Sequence, residues 1–221
     1  MRLHPWDNAC EKRLLVTPQF FDPAELAFIA SRLHPKFALV DIGSNVGAYS
    51  IFVARNGGET ARVVAIDPNE KVLARLRFNA EANNLKNIVP IRAAVGDRNG
   101  HVSLRIGKQN MGGSSIVAQK RLRQDSETIE VPMRTLASIL AETGLDRIDV
   151  LKIDIEGSED FALMPFLASA EPAMLPDAII IERNVEDWKE DLFAAMAKRG
   201  YRDSGLGGAN AILVLERSAA P

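Results

Sequence analysis

The chain contains a single cysteine, Cys10, which excludes an internal disulfide and a cysteine-built metal cluster. Its three histidines, His4, His34 and His101, are scattered, with none of the paired spacing that marks a metal or catalytic constellation. No apolar run approaches the ~20 residues of a membrane span. Between Met1 and Arg13 the charges of Asp7, Glu11, Lys12 and Arg13 break up any hydrophobic centre of a secretion signal. Basic residues are not in excess: 27 Lys and Arg face 29 Asp and Glu, a net charge of −2, so nothing tracks a phosphate backbone. These lacks lead us to expect a cytoplasmic protein with no nucleic-acid and no membrane partner. They say nothing about oligomeric state.

What is present is the material of one enzyme-sized domain. The 221 residues are 47% hydrophobic and 25% charged, enough for a full core. Asp22 and Pro23 read as the N-cap and first residue of a helix with Leu26, Ile29 and Leu33 at helical spacing. Pro35 closes that helix, so residues 1–36 are expected to form an N-terminal helical cap segment on a main domain over 37–221. From Phe37 onward, strands and helices alternate. The strand candidates are Phe37–Ile42, Arg62–Asp67, Ile88–Val95, Ile148–Asp154, Ala178–Glu182 and Ala211–Glu216. The helix candidates are Ala48–Arg55, Glu70–Asn83, Leu136–Glu142, Glu159–Ala168 and Val185–Arg199. This pattern predicts an α/β fold, a doubly wound Rossmann-like sheet in a three-layer α/β/α arrangement. Gly100–Ile106 alternates like a short edge strand. The glycine-rich, then basic stretch Gln109–Ser126 reads as a mobile loop near the ligand.

Asp41-Ile42-Gly43-Ser44-Asn45-Val46-Gly47 stands between the first strand and the first helix of that alternation. Gly43 and Gly47 let backbone approach a ligand closely at a helix N-terminus. The pattern is D-x-G-x-N-x-G and not the G-x-G-x-x-G of a dinucleotide site. An acid at that place repels pyrophosphate and accepts hydrogen bonds from a cationic group, which favours S-adenosylmethionine. Asp67, at the end of the second strand, is placed to accept both ribose hydroxyls of an adenosine; capping the helix after Pro68 is a compatible role. The backbone at Ala94 and Val95 is placed to read an adenine edge, whereas Asp97 reads as a turn residue. At the fourth strand, Lys152, Asp154 and Glu156 share one face if the strand continues, and a buried Lys152 requires an acid partner. Glu182 ends the fifth strand on the same rim. Asp154, Glu156 and Glu182 are therefore the candidate catalytic acids, against the plainer readings of an internal ion pair and a helix-capping rim acid.

These residues resemble the FkbM-type methyltransferases, within the class I S-adenosylmethionine-dependent superfamily. The likeness runs from about Leu39 to Glu182. It rests on Asp41–Gly47, on Ala94-Val95-Gly96-Asp97 with Gly100, and above all on Lys152-Ile153-Asp154-Ile155-Glu156-Gly157-Ser158-Glu159. The resemblance implies a seven-stranded, mostly parallel sheet with an antiparallel last strand, Ala211–Glu216, S-adenosyl-L-methionine as cofactor, and O-methylation of a small-molecule or sugar hydroxyl. The chain departs from the family at Asp67, where a glutamate is usual, and at Thr135-Leu136-Ala137, where the third residue is usually aspartate. Two alternatives stay open: a non-catalytic S-adenosylmethionine-binding protein and a nicotinamide-dependent oxidoreductase. A nucleic-acid methyltransferase is disfavoured, because Asp154-Ile155-Glu156-Gly157 stands where an N/D-P-P-Y/F motif would be and Cys10 is misplaced for a nucleophile. No metal is expected, because Arg183 separates Glu182 from Asn184 and competes with a cation for the acids.

Overall fold

The computed structural model of the chain describes residues 1–107, 114–115 and 126–217. Most of the expected Gln109–Ser126 loop lies outside the described residues. Seven strands form the main sheet: β1 (Ala38–Ile42), β2 (Arg62–Ile66), β3 (Ile88–Ile91), β8 (Val150–Ile153), β9 (Ala178–Glu182), β10 (Tyr201–Asp203) and β11 (Asn210–Leu215). Their spatial order is β10-β11-β9-β8-β1-β2-β3. β11 runs antiparallel to β9 and β10, and the pairings from β9 across to β3 are parallel. This is the doubly wound, mostly parallel sheet with an antiparallel last strand that the alternation predicts.

The apolar runs are continuous because both sheet faces are covered. Val40, Ile42, Ile66, Ile153 and Ile181 face α5 (Leu136–Thr143), α6 (Glu159–Ser169) and α7 (Leu192–Lys198). Leu39, Val63, Val150 and Ile180 face α2 (Pro23–Arg32) and α3 (Ala48–Asn56). α4 (Glu70–Ala82) adds Leu73 and Leu76 against Ala65 of β2. No helix among the described residues is long and apolar enough to cross a membrane.

Several expected elements take a different form. Ile88–Val95 is two strands: the chain leaves the main sheet after Ile91, and β4 (Ala94–Val95) pairs instead with β7 (Ser126–Arg134). Gly100–Ile106 belongs to β5 (Gly100–Gly107), which lies inside a second sheet of order β4-β7-β5-β6, with β6 at Ser114–Ser115. The helix expected over Val185–Arg199 is confined to α7. Asp160 accepts the backbone N–H groups of Lys189 and Glu190, which holds that stretch in turns, and Asp191 then caps Ala194. Asp22 precedes α2 but does not cap it. Its φ of 43° turns the side chain outward, where it accepts from the Tyr49 hydroxyl and pairs with Arg13. A further helix, α1 (Ala9–Val16), is capped by Asn8. The N-terminal segment docks on α4: Arg75 binds both Asp7 and the fully buried Glu11, and Asn79 exchanges hydrogen bonds with the Arg2 backbone.

Candidate active site

Asp41 and Lys152 are the charged residues that the sheet itself buries here. They are partners in the β1–β8 register and therefore point to the same face. Asp41 is 1% exposed and accepts a 2.6 Å hydrogen bond from Ser50 of α3. Burial pushes its carboxyl above the usual range, against the pull of Lys152. Burial works against the Lys152 ammonium too, but Asp154 and Asp41 outweigh it and hold lysine above its ordinary value. Lys152 Nζ lies 3.3 Å from Asp154 and 5.4 Å from the centre of the Tyr49 ring. The internal partner expected for Lys152 is thus Asp154, with Asp41 beneath. Asp41 itself sits below the loop and lines neither cleft described next.

The loop Gly43–Gly47 has a different use from the one its glycines imply. The N–H groups of Gly43 and Ser44 both donate to Ile66 O, Asn45 N–H donates to Asp67, and Gly47 N–H donates to Ser44 O. These four donors are spent inside the protein and do not point at a ligand. The glycines are there for close packing. At φ 75°, a Cβ on Gly43 would lie 1.9 Å from the Asp154 carbonyl oxygen, and one on Gly47 would lie 2.7 Å from Leu76.

Two clefts flank this loop. The first, about 460 Å³ with its open mouth, is lined by Gly43, Asp67, Ala94, Val95, Asp154 and Ser158, with Leu104 of β5 closing it. Asp67 accepts from Asn45 N–H at 2.9 Å and from Asn69 N–H at 2.8 Å. Burial outweighs those two donors and lifts its carboxyl to about 6. Each carboxylate oxygen keeps a second lone pair for a ligand. The expected helix-capping role passes to Asn69, which accepts from Lys71 N–H. Ala94 and Val95 form the outer strand of the second sheet, and both line this cleft.

The second cleft, about 850 Å³ with its mouth, lies on the other side of Gly43 and Asp154, beneath α1. Its wall includes Cys10, Arg13, Ser44, Tyr49, Lys152 and Glu156. Burial pushes the Cys10 thiol up to about 12, so it is held protonated. The three candidate acids gather at this boundary, though not on one strand face. β8 ends at Ile153, and Glu156 sits in a left-handed turn at φ 55°. Asp154 is within hydrogen-bonding reach of Glu182. Burial, then the Asp154 charge, raises the Glu182 carboxyl, and a bond from the Asn184 amide resists. Glu182 therefore does not cap a helix. Among the described residues, no three His, Cys, Asp or Glu side chains converge as a metal site.

Glu159, which closes the Lys152–Glu159 motif in the sequence but had no role assigned there, shapes this turn. Glu159 is fully buried and accepts from the N–H groups of Ile155 and Gly157, while Trp188 Nε1 donates to its other oxygen at 2.7 Å. The signal was its acid opening α6 one turn after Asp154.

Residues 41–202 match the family described as Methyltransferase FkbM domain. The chain belongs to this family. It is 23% identical over 137 residues to Methyltransferase 1 of Beauveria bassiana (strain ARSEF 2860), covering 55% of each chain. It is 25% identical over 199 residues to the AMB antimetabolite synthetase AmbE of Pseudomonas aeruginosa, covering 75% of this chain and 9% of that one. The chain thus spans about half the length of one curated relative and under a tenth of the other. The solved structure of methyltransferase FkbM from Methylobacillus flagellatus KT superposes with a TM-score of 0.55 at 18% identity, over 94% of this chain and 53% of that one. At that identity, the superposition bears on the fold alone.

Proposed function

We propose that this FkbM-family chain is an S-adenosylmethionine-dependent methyltransferase that methylates a hydroxyl of a small molecule or sugar. The observation that carries this reading is the meeting of two clefts at Gly43 and Asp154, one lined by the ribose and adenine candidates and the other by Glu156 and Lys152. Two buried polar atoms on the walls of these clefts, Ser44 Oγ and Ser158 Oγ, have no partner within the protein, nor has Asp41 Oδ1 beneath the loop. Buried polar groups are normally hydrogen-bonded, so the vacancies fit a polar, cationic cofactor. Asp67 would hold the ribose hydroxyls, the backbone of Ala94–Val95 the adenine, and Ser44 the methionyl side, with Asp41 beneath the loop.

When bound, the cofactor supplies a methyl group on a cationic sulfur. The acceptor is held in the cleft beneath α1, where its oxygen can align with that methyl. On transfer, the Asp154–Glu182 carboxyl pair would take the hydroxyl proton of the acceptor, with Glu156 at the acceptor's side. Lys152, 3.3 Å from Asp154, orients that carboxylate.

Calorimetry with S-adenosylmethionine, its demethylated product and NAD tests the cofactor. Mass spectrometry of a small-molecule extract incubated with methyl-labelled cofactor tests transfer. We expect heat from the first two ligands only, and label on a hydroxyl. Binding without transfer to any extract component would favour the non-catalytic reading, and tight NAD binding would favour the oxidoreductase.

A further inference from the structure

Asn8 is 1% exposed, although it lies in the N-terminal segment and far in sequence from any candidate motif. Its Oδ1 accepts from Glu11 N–H and starts α1. That bond fixes the amide's orientation, so its Nδ2 faces the glycine loop and donates to Asn45 Oδ1 at 2.7 Å. Asn45 is a non-glycine residue at φ 50°, a conformation that a short amide side chain tolerates but that its surroundings must hold. Two contacts do so: the Asn8 amide on its side chain and Asp67 on its backbone N–H. Asp67 in turn fastens Asn69, the cap of α4. A continuous line of hydrogen bonds therefore runs from the start of α1, which walls the acceptor cleft with Cys10 and Arg13, to the acid assigned to the cofactor ribose.

We propose that Asn8 is a positioning residue: it sets Asn45, and through it Asp67, for cofactor binding, and so couples the docking of α1 over the acceptor cleft to occupancy of the cofactor cleft. This inference rests on the methyltransferase reading. A helix cap that did nothing more would need only the Oδ1 half of the side chain. The contact of the other half with the Asn45 side chain does the coupling.

The test separates the two halves. Asn8→Ser keeps a capping oxygen but cannot reach Asn45. Asn8→Asp keeps the cap and the reach, and the Asn45 amide can turn to donate to it. Calorimetry with S-adenosylmethionine should show about tenfold weaker binding for Asn8→Ser, near-wild-type binding for Asn8→Asp, and thermal midpoints of all three within a few degrees. In an Asn45→Gly background, Asn8→Ser should weaken binding no further, because the contact is already gone. Wild-type affinity in Asn8→Ser overturns the inference alone. So do losses that add in the double variant, or an Asn8→Asp protein as weak as Asn8→Ser. A wild-type chain that does not bind the cofactor overturns the methyltransferase reading and this inference with it.

Discussion

Lys152 of β8 lies directly across from Asp41 of β1 and under Asp154, so one buried ammonium serves two carboxylates at different depths. Asp154 is 42% exposed at its side chain, and water can solvate it if its partner is lost. Asp41 has no such recourse. Replacing Lys152 with methionine leaves an uncompensated charge inside the sheet, for which a cost of about 3–5 kcal/mol is expected. Urea unfolding of Lys152→Met checks this. A loss below ~1 kcal/mol would mean that Asp41 does not depend on the lysine.

With Asp67 on the proposed ribose site, cofactor binding should depend on pH. Its folded value of about 6 lies above its ordinary 3.8. Below about pH 6 the carboxyl is protonated and loses acceptor capacity for the ribose hydroxyls, so affinity should fall as pH drops from 7 to 5. The stability linkage runs the other way. A raised carboxyl stabilises the fold while protonated, and that contribution is lost as pH rises from about 4 through 6. Asp67→Ala should cost about 1.5–3 kcal/mol of cofactor affinity and flatten the pH profile. Calorimetry across that range decides, and an unchanged slope in the variant would remove Asp67 from the site.

Asp154→Asn and Glu156→Gln keep shape and remove charge at the boundary of the clefts. Each should lower turnover by at least about 10²-fold with cofactor affinity nearly unchanged. Steady-state kinetics beside calorimetry separates the two quantities. Wild-type turnover in both variants would make these acids structural.

Transfer should survive exhaustive EDTA treatment. Glu182 is already engaged by the Asn184 amide and by Asp154, and Arg183 turns away to pair with Asp203. A cation would have to break the first two contacts to gain its ligands. Activity lost to EDTA and restored by magnesium would show that it does.

The parallel order of the main sheet was legible because β1, β2, β8 and β9 are buried on both faces and read as mainly apolar runs, even with Asp41 in β1 and Lys152 in β8. Helices α3 to α6 were legible to within a residue or two from their caps and spacing. The second sheet was legible only in part. In β7, Ile129, Val131 and Met133 do alternate, but Pro132 sits among them and masks the strand. α7 came out short because the bonds that hold residues 189 and 190 come from Asp160, a contact between distant parts of the chain that local spacing does not encode. The same limit applies to the site. Asp67, Ala94, Val95 and Asp154 could be placed from strand ends. That the N–H groups of Gly43 and Ser44 would both turn to Ile66 O could not, because the acceptor lies on the neighbouring strand β2, a contact that local spacing does not encode.

The bond between Trp188 and Glu159 has an optical consequence. The chain has two tryptophans. Trp6 is 90% exposed, while the Trp188 indole is tied to the acid that shapes the turn from Asp154 to Gly157 and packs on Phe193 at 5.2 Å. Trp6→Phe would leave one emitter, wired to the turn at the boundary of the two clefts. Its colour and lifetime would then follow that turn through a catalytic cycle without any added dye.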